Sequence, residues 1–279
     1  MREHPSDFEG SCEGRLLVNL FYEPSTRTRV SFEIAALRLG VRVVNIAAAD
    51  SSVKKGETLM DTFRTLQAMA PDVVVVRHPE EGALEPLAEV AAPGLHLVNA
   101  GDGARAHPTQ ALLDLVTLQQ HAGPLDQLTV VVAGDLHHSR VTRSGAILLK
   151  ALGVGELRLS APPGLEAGPN VSAGARGFES LDEALVGADV VMMLRIQHER
   201  LAGISIPDPE SYHRQWGLTE ARLATASPDC LVMHPGPMNR GVEIASSVAD
   251  GPRSLILDQV ANGVYTRMAV IHTLLHGAS

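Results

Sequence analysis

Leu16-Leu17-Val18-Asn19-Leu20-Phe21-Tyr22-Glu23-Pro24-Ser25-Thr26-Arg27-Thr28-Arg29 sets the pattern that the rest of the chain repeats. Its first six residues are an apolar run that reads as a buried strand. Glu23-Pro24 is a turn signal and Ser25 a good N-cap. A periodic segment then runs to Gly40, which stands where a left-handed residue ends a helix. A helix start offers unpaired N–H groups and the positive end of a dipole, which suits an anion. Hydroxyls at Ser25, Thr26 and Thr28 and the guanidinium of Arg27 surround that spot with donors. An ordinary helix start needs one capping hydroxyl, not three hydroxyls and two arginines.

Working outward, short apolar runs alternate with helical segments. Strands are expected at 41–47, 72–77 and 95–100, and helices at 57–69, 84–91 and 108–120. The four consecutive valines within 72–77 are the signature of a strand buried on both faces of a parallel sheet. The pattern restarts after His121-Ala122-Gly123-Pro124. Strands follow at 128–134, 156–161, 189–195 and 229–234, and helices at 139–152, 181–186 and 260–276. Residues 1–14 read as a loose polar lead-in, 162–180 as loop, and the stretch before 229 as a long polar insertion. The fold class is α/β, with two doubly wound parallel-sheet domains joined by interdomain helices.

Composition narrows the function. The chain of 279 residues, 45% hydrophobic and 20% charged, has room for two packed domains. Its net charge of -9 argues against nucleic acid, so an anionic substrate must meet a local cationic cluster. The two cysteines, Cys12 and Cys230, form neither a disulfide framework nor a metal-spacing pattern. No signal-peptide core and no membrane-length apolar run is present, which points to a cytoplasmic protein.

Ligands of open parallel sheets bind beyond the carboxyl ends of the strands. At those ends stand Ser25-Thr26-Arg27-Thr28, the loop with Ser52 and Lys55, Arg77-His78-Pro79, and His107-Pro108-Thr109-Gln110. In the second half they are Asp135-Leu136-His137-His138-Ser139-Arg140, Arg195-Ile196-Gln197 and His234-Pro235-Gly236-Pro237. Each is weak alone, because an arginine at a strand end is usually a surface residue. Together, four arginines (27, 77, 140, 195) and a lysine at one edge would repel each other unless anions neutralised them. The crevice between the two units is therefore expected to hold at least two anionic groups. No G-x-x-x-x-G-K-[ST], G-x-G-x-x-G or G-x-S-x-G occurs, and no cluster has metal-ligand spacing.

With these residues assembled, the chain resembles the catalytic chains of the aspartate carbamoyltransferases from about Arg15 to the C-terminus. The resemblance rests on Ser-Thr-Arg-Thr at 25–28, Ser51-Ser52 with Lys55-Gly56-Glu57-Thr58, Arg77-His78-Pro79 and His107-Pro108-Thr109-Gln110. Arg195-Ile196-Gln197 and His234-Pro235-Gly236-Pro237 separate it from the ornithine enzymes, whose His-Cys-Leu-Pro segment is absent.

The resemblance implies transfer of the carbamoyl group of carbamoyl phosphate to L-aspartate, a step of pyrimidine biosynthesis, without metal or organic cofactor. It implies a carbamoyl-phosphate-binding domain at 1–118 plus 264–279 and an aspartate-binding domain at 119–263. Ser25, Thr26, Arg27 and Thr28 would hold the phosphate, with Arg77 assisting. Thr28, Arg77 and His107 would donate to the carbonyl oxygen. Gln110 and the backbone carbonyls of Pro235 and Gly236 would face the carbamoyl nitrogen. Arg140, Arg195 and Gln197 would take the aspartate carboxylates. Ser52 and Lys55 would come from a neighbouring subunit, since the family forms homotrimers with shared active sites, alone or with regulatory or dihydroorotase-type chains.

Departures from the family pattern are also legible. Members carry a helix before the first strand, whereas fourteen mostly polar residues precede Arg15 here. The terminal helix is therefore expected to be partly uncovered. Two other readings stay open at this point: a transcarbamoylase for another amine, and a non-catalytic paralogue.

Overall fold

The computed structural model describes residues 1–47, 56–197, 200 and 206–277. The chain divides into two compact units, Met1–Thr109 with Ala261–Ser279, and Gln110–Val260. The first contains β1 (Leu16–Phe21), α1 (Thr26–Arg38), β2 (Arg42–Ala47), α2 (Leu59–Ala68) and β3 (Val73–His78). It continues with α3 (Glu85–Val90), β4 (His96–Asp102) and the opening of α4 (Pro108–His121). The second contains β5 (Thr129–Ala133), α5 (Arg140–Ala151), β6 (Glu156–Ser160), α6 (Pro169–Ser172) and β7 (Arg176–Phe178). After these come α7 (Leu181–Leu185), β8 (Val190–Met193), α8 (Pro209–Trp216), α9 (Glu220–Leu223), β9 (Leu231–Met233) and α10 (Ser246–Ala249). The chain passes from the first unit to the second within α4 and returns within α11 (Ile256–His276).

In the first unit all strands are parallel, in the order β2-β1-β3-β4. Residues 73–76, the four valines, are each 0% exposed. Alternation along the strand sends Val73 and Val75 to one face, where they pack with Phe32 of α1 and Met268 and Ile271 of α11. Val74 and Val76 go to the other, against Phe63, Leu66 and Leu87 from α2 and α3. Helices on both faces explain why this strand reads as one continuous apolar run.

The second unit is also all parallel, in the order β7-β6-β5-β8-β9. One contiguous core runs through it, from Leu118 to Ile256. Its strand β5 is the first of the unit and lies in the middle, so strand order reverses between β5 and β8. In the first unit it reverses between β1 and β3.

Several expectations need correction. The lead-in is not loose: Pro5–Phe8 is a 3₁₀ turn, and Cys12 N–H donates to Leu39 O at 2.8 Å. Phe8 meets His272 of α11 edge-on with ring centroids 5.4 Å apart, and Arg2 Nη1 donates to Asn262 Oδ1 at 2.7 Å. The terminal helix is thus covered along this side by the polar N-terminal segment. Residues 162–180 contain α6 and the edge strand β7, and the polar insertion contains α8 and α9. Both cysteines are free and buried, and burial raises both thiol pKa values, that of Cys230 to about 12. No helix among the described residues is long and apolar enough to cross a membrane.

Candidate functional site

In each unit several of the residues expected from sequence flank the point where strand order reverses, Ser25–Thr28 and Arg77 at β1/β3 and Arg140, Arg195 and Gln197 at β5/β8, which is where open parallel sheets leave a crevice. In the first unit, Phe21 of β1 lies in register with Arg77 of β3, and Tyr22 N–H donates to Arg77 O at 2.8 Å. The exit of β1 turns through Glu23 and Pro24 into α1. Ser25 occupies the N-cap, but its hydroxyl makes no capping hydrogen bond, contrary to the usual reason for serine there. Thr26 and Arg27 are exposed on the first turn, and Thr28 is buried. The Ser25 hydroxyl is thus not spent on capping, which leaves the helix start as a donor surface for an anion.

Arg77 connects this turn to the next strands. Its Nη1 donates to Thr28 Oγ1 at 3.5 Å and to Ala100 O of β4 at 3.4 Å, both long contacts. Its Nη2 pairs with Glu23 Oε1 at 2.6 Å, the stronger, charge-assisted interaction. Arg77 is therefore held by an internal carboxylate, which corrects the expectation that only ligand anions would neutralise the arginines. Glu23 was visible in sequence only as half of a turn signal. The β4 exit is fixed by Gly103 N–H to His78 O at 2.9 Å and Gly82 N–H to Asp102 Oδ1 at 2.8 Å. It delivers buried His107 to the residue before Pro108, at the start of α4.

In the second unit the exits of β5 and β8 are bound together. Gly134 has φ +121°, and a Cβ there would lie 2.3 Å from Leu194 O, so only glycine lets the two exits approach. Asp135, fully buried, then collects three donors. Its Oδ1 accepts from His138 N–H at 3.1 Å and from His138 Nδ1 at 3.0 Å, and its Oδ2 accepts from Gln197 N–H at 3.1 Å. Gln197 Nε2 donates to His138 O at 3.0 Å. Ser139 caps α5 by accepting from Thr142 N–H at 3.1 Å, and this places Arg140 on the first turn. Arg195, one residue beyond Leu194, is half-buried, with Nη1 to Ile196 O at 3.3 Å. Arg140, Arg195 and Gln197 are thus gathered on one two-loop platform built around Asp135, whose place at a strand end is legible in sequence but whose bond to Gln197 is not.

Gln110, Pro235 and Gly236 also belong to the second unit, and hydrogen bonds through Asp114, Gln259 and His234 link Gln110 to Gly236. Ser52 and Lys55 lie outside the described residues.

Residues 1–120 match the family model described as the aspartate/ornithine carbamoyltransferase carbamoyl-P binding domain. Residues 126–274 match the Asp/Orn binding domain of the same family. The chain is 54% identical over 264 residues to the aspartate carbamoyltransferase catalytic subunit of Beijerinckia indica subsp. indica, covering 95% of this chain and 82% of the relative. It is 56% identical over 264 residues to that of Xanthobacter autotrophicus, covering 95% and 83%. Its fold is similar to the crystal structure of Trypanosoma cruzi aspartate transcarbamoylase in complex with carbamoyl aspartate and phosphate. That match has a TM-score of 0.86 and 34% identity, covering 98% of this chain and 88% of that one. The same enzyme in complex with N-(phosphonacetyl)-L-aspartic acid gives a TM-score of 0.85 and 33% identity, again covering 98% and 88%.

Proposed function

Because this chain belongs to the aspartate/ornithine carbamoyltransferase family, we propose that it is an aspartate carbamoyltransferase. It transfers the carbamoyl group of carbamoyl phosphate to the amino group of L-aspartate, giving N-carbamoyl-L-aspartate and phosphate. The observation that carries this reading is the pair of donor-rich strand exits, one at the order reversal of each sheet. The first unit has uncapped α1 with Arg77 and His107, and the second has the Asp135 platform with Arg140, Arg195 and Gln197.

In this reading Ser25, Thr26, Arg27 and Thr28 hold the phosphate, and Arg77 moves part of its charge from Glu23 to the ligand. Thr28, Arg77 and His107 donate to the carbonyl oxygen, where charge builds as the amine attacks. Preorganised donors there lower the barrier, each contributing about 3 kcal/mol. His107 acts as a donor rather than a base, and the departing phosphate accepts the amine proton. Arg140, Arg195 and Gln197 clamp the aspartate carboxylates. Holding two mutually repelling anions in reacting geometry supplies much of the rate. In this reading residues 1–118 with 264–279 form the carbamoyl-phosphate domain and 119–263 the aspartate domain, bounds close to those of the two units.

The protein is cytoplasmic and serves pyrimidine biosynthesis. It works as a homotrimer in which Ser52 and Lys55 reach a neighbouring subunit's site, alone or with regulatory or dihydroorotase-type chains. Self-association is supported by Val30, Ile34 and Leu37, which form an exposed apolar stripe at helical spacing on α1.

Incubation with carbamoyl phosphate and either aspartate or ornithine tests the assignment. N-carbamoylaspartate and an equal amount of phosphate are expected with aspartate, and no product with ornithine. Citrulline from ornithine, or phosphate release without a carbamoylated amine, would contradict it.

A further inference from the structure

Inside the second unit, buried polar groups from three separate segments form one continuous hydrogen-bonded line. Asp114, one turn beyond Gln110 on α4, accepts at Oδ1 from Gln110 Nε2 at 2.9 Å and from Gln259 Nε2 at 2.8 Å. Gln259 Oε1 accepts from the backbone N–H of His234 at 2.9 Å. His234 Nδ1 accepts from Gly236 N–H at 2.8 Å, so the ring proton sits on Nε2, which donates to Glu243 Oε1 at 3.1 Å. Asn239 N–H donates to that same oxygen at 2.5 Å. Asp114, Gln259, His234 and Glu243 are 4%, 2%, 2% and 0% exposed.

The line has a direction, and the direction is set by chemistry. Asp114 Oδ1 accepts from both glutamines, so each turns its NH₂ group toward it. Gln110 is then left with Oε1 as its outward group, and Gln259 with Oε1 toward His234. At the far end the Pro235–Gly236 peptide is trans, since Gly236–Pro237 is the cis bond recorded among the described residues. In a trans peptide N–H and C=O point opposite ways. With Gly236 N–H drawn inward to His234, the Pro235 carbonyl is turned outward. The two ends of the line therefore present two acceptors, Gln110 Oε1 and Pro235 O, and an uncharged amino group has two hydrogens to give.

We propose that Asp114 and Gln259 are positioning residues that aim these acceptors at the carbamoyl nitrogen, so that the site prefers carbamoyl phosphate to acetyl phosphate. This rests on the carbamoyl-transfer reading above. Neither residue touches substrate; each acts by fixing which end of an amide or peptide faces out. Packing alone does not require such a line, because an apolar core has no need of a buried polar network that must be satisfied throughout.

Acetyl phosphate keeps the phosphate and the carbonyl and replaces the amino group with methyl, so it reads this contact alone. Equilibrium titration of each ligand gives a ratio of dissociation constants that does not depend on how much of a variant is folded. Asp114→Leu and Gln259→Met are each expected to lower the preference for carbamoyl phosphate about tenfold, the worth of one hydrogen bond to a buried site. Asp114→Asn keeps a carbonyl oxygen where Oδ1 stands and is expected to retain the preference within about threefold. A ratio unchanged in Asp114→Leu and Gln259→Met, whether both ligands weaken in parallel or neither does, would reduce these residues to packing and overturn the proposal. Failure of the wild type to make N-carbamoylaspartate is a different result, and it would remove the underlying reading as well.

Discussion

Replacing Arg27 with alanine is expected to lower kcat with carbamoyl phosphate and aspartate by about 10²–10³-fold. Arg27 stands exposed on the first turn of α1, beside a serine whose hydroxyl does not cap the helix. The dipole and N–H groups of that turn favour an anion, but their partial charge is worth only about 0.3–1 kcal/mol at an exposed helix end. A permanently charged guanidinium supplies the larger share, and it does so in a planar fork that matches phosphate oxygens. Carbamoyl phosphate binding should weaken in the same variant, while the fold should not change, because the side chain lies outside the core. Steady-state kinetics with a thermal melt on the same sample check both statements. Turnover near wild type would remove the phosphate assignment.

Gly134→Ala is expected to have the largest effect on the other half of the chemistry. The residue combines φ +121° with a Cβ position 2.3 Å from Leu194 O. The backbone strain alone costs about 1–3 kcal/mol, and relief of the contact requires the β5 and β8 exits to separate. Those exits carry Asp135 and Arg140 on one side and Arg195 and Gln197 on the other. The bond from Gln197 N–H to Asp135 Oδ2 at 3.1 Å is the first to be lost. The KM for aspartate should rise at least tenfold, and stability should fall by a few kcal/mol in denaturant. Equilibrium binding of carbamoyl phosphate, whose proposed phosphate contacts Ser25, Thr26, Arg27, Thr28 and Arg77 all lie in the first unit, should weaken far less in the fraction that folds. Loss of carbamoyl phosphate binding with an unchanged KM for aspartate would contradict this placement.

What could be read from sequence divides along a physical line. The strands β1 and β3 are buried on both faces, so they announce themselves as largely apolar runs, with Asn19 the one polar residue in β1 and Arg77-His78 ending β3. The edge strand β7, Arg-Gly-Phe, is short and exposed and looks like the loop around it. Helix α8 starts at Asp208 before Pro209, where Asp208 Oδ1 accepts from Glu210 and Ser211 N–H, but the polar composition of the segment masks the helix. The N-terminal segment was judged by polarity as well, yet Phe8 and Cys12 are enough to seat it on unit 1.

The site divides in the same way. Its cations were legible because a charged residue at a strand tip stands out against an apolar run. The carboxylates that place them were not. Glu23 reads as a turn residue, and Asp135 meets Gln197 across 62 positions of sequence. Asp114 meets Gln259 across 145. Such pairings exist only once strand order is known, and sequence periodicity carries strand identity without that order. The outward-facing groups were therefore readable, and the inner groups that orient them had to be seen.

The proposed reaction requires the cations of the first sheet and those of the second to bind the two ends of one reacting pair. Calorimetric titration with a bisubstrate analogue carrying a phosphonate and two carboxylates tests it most directly, in wild type, Arg27→Ala and Arg195→Ala. Tight binding that weakens with salt and falls about 10²-fold or more in each variant is expected. Binding that Arg27→Ala weakens and Arg195→Ala leaves intact would contradict it.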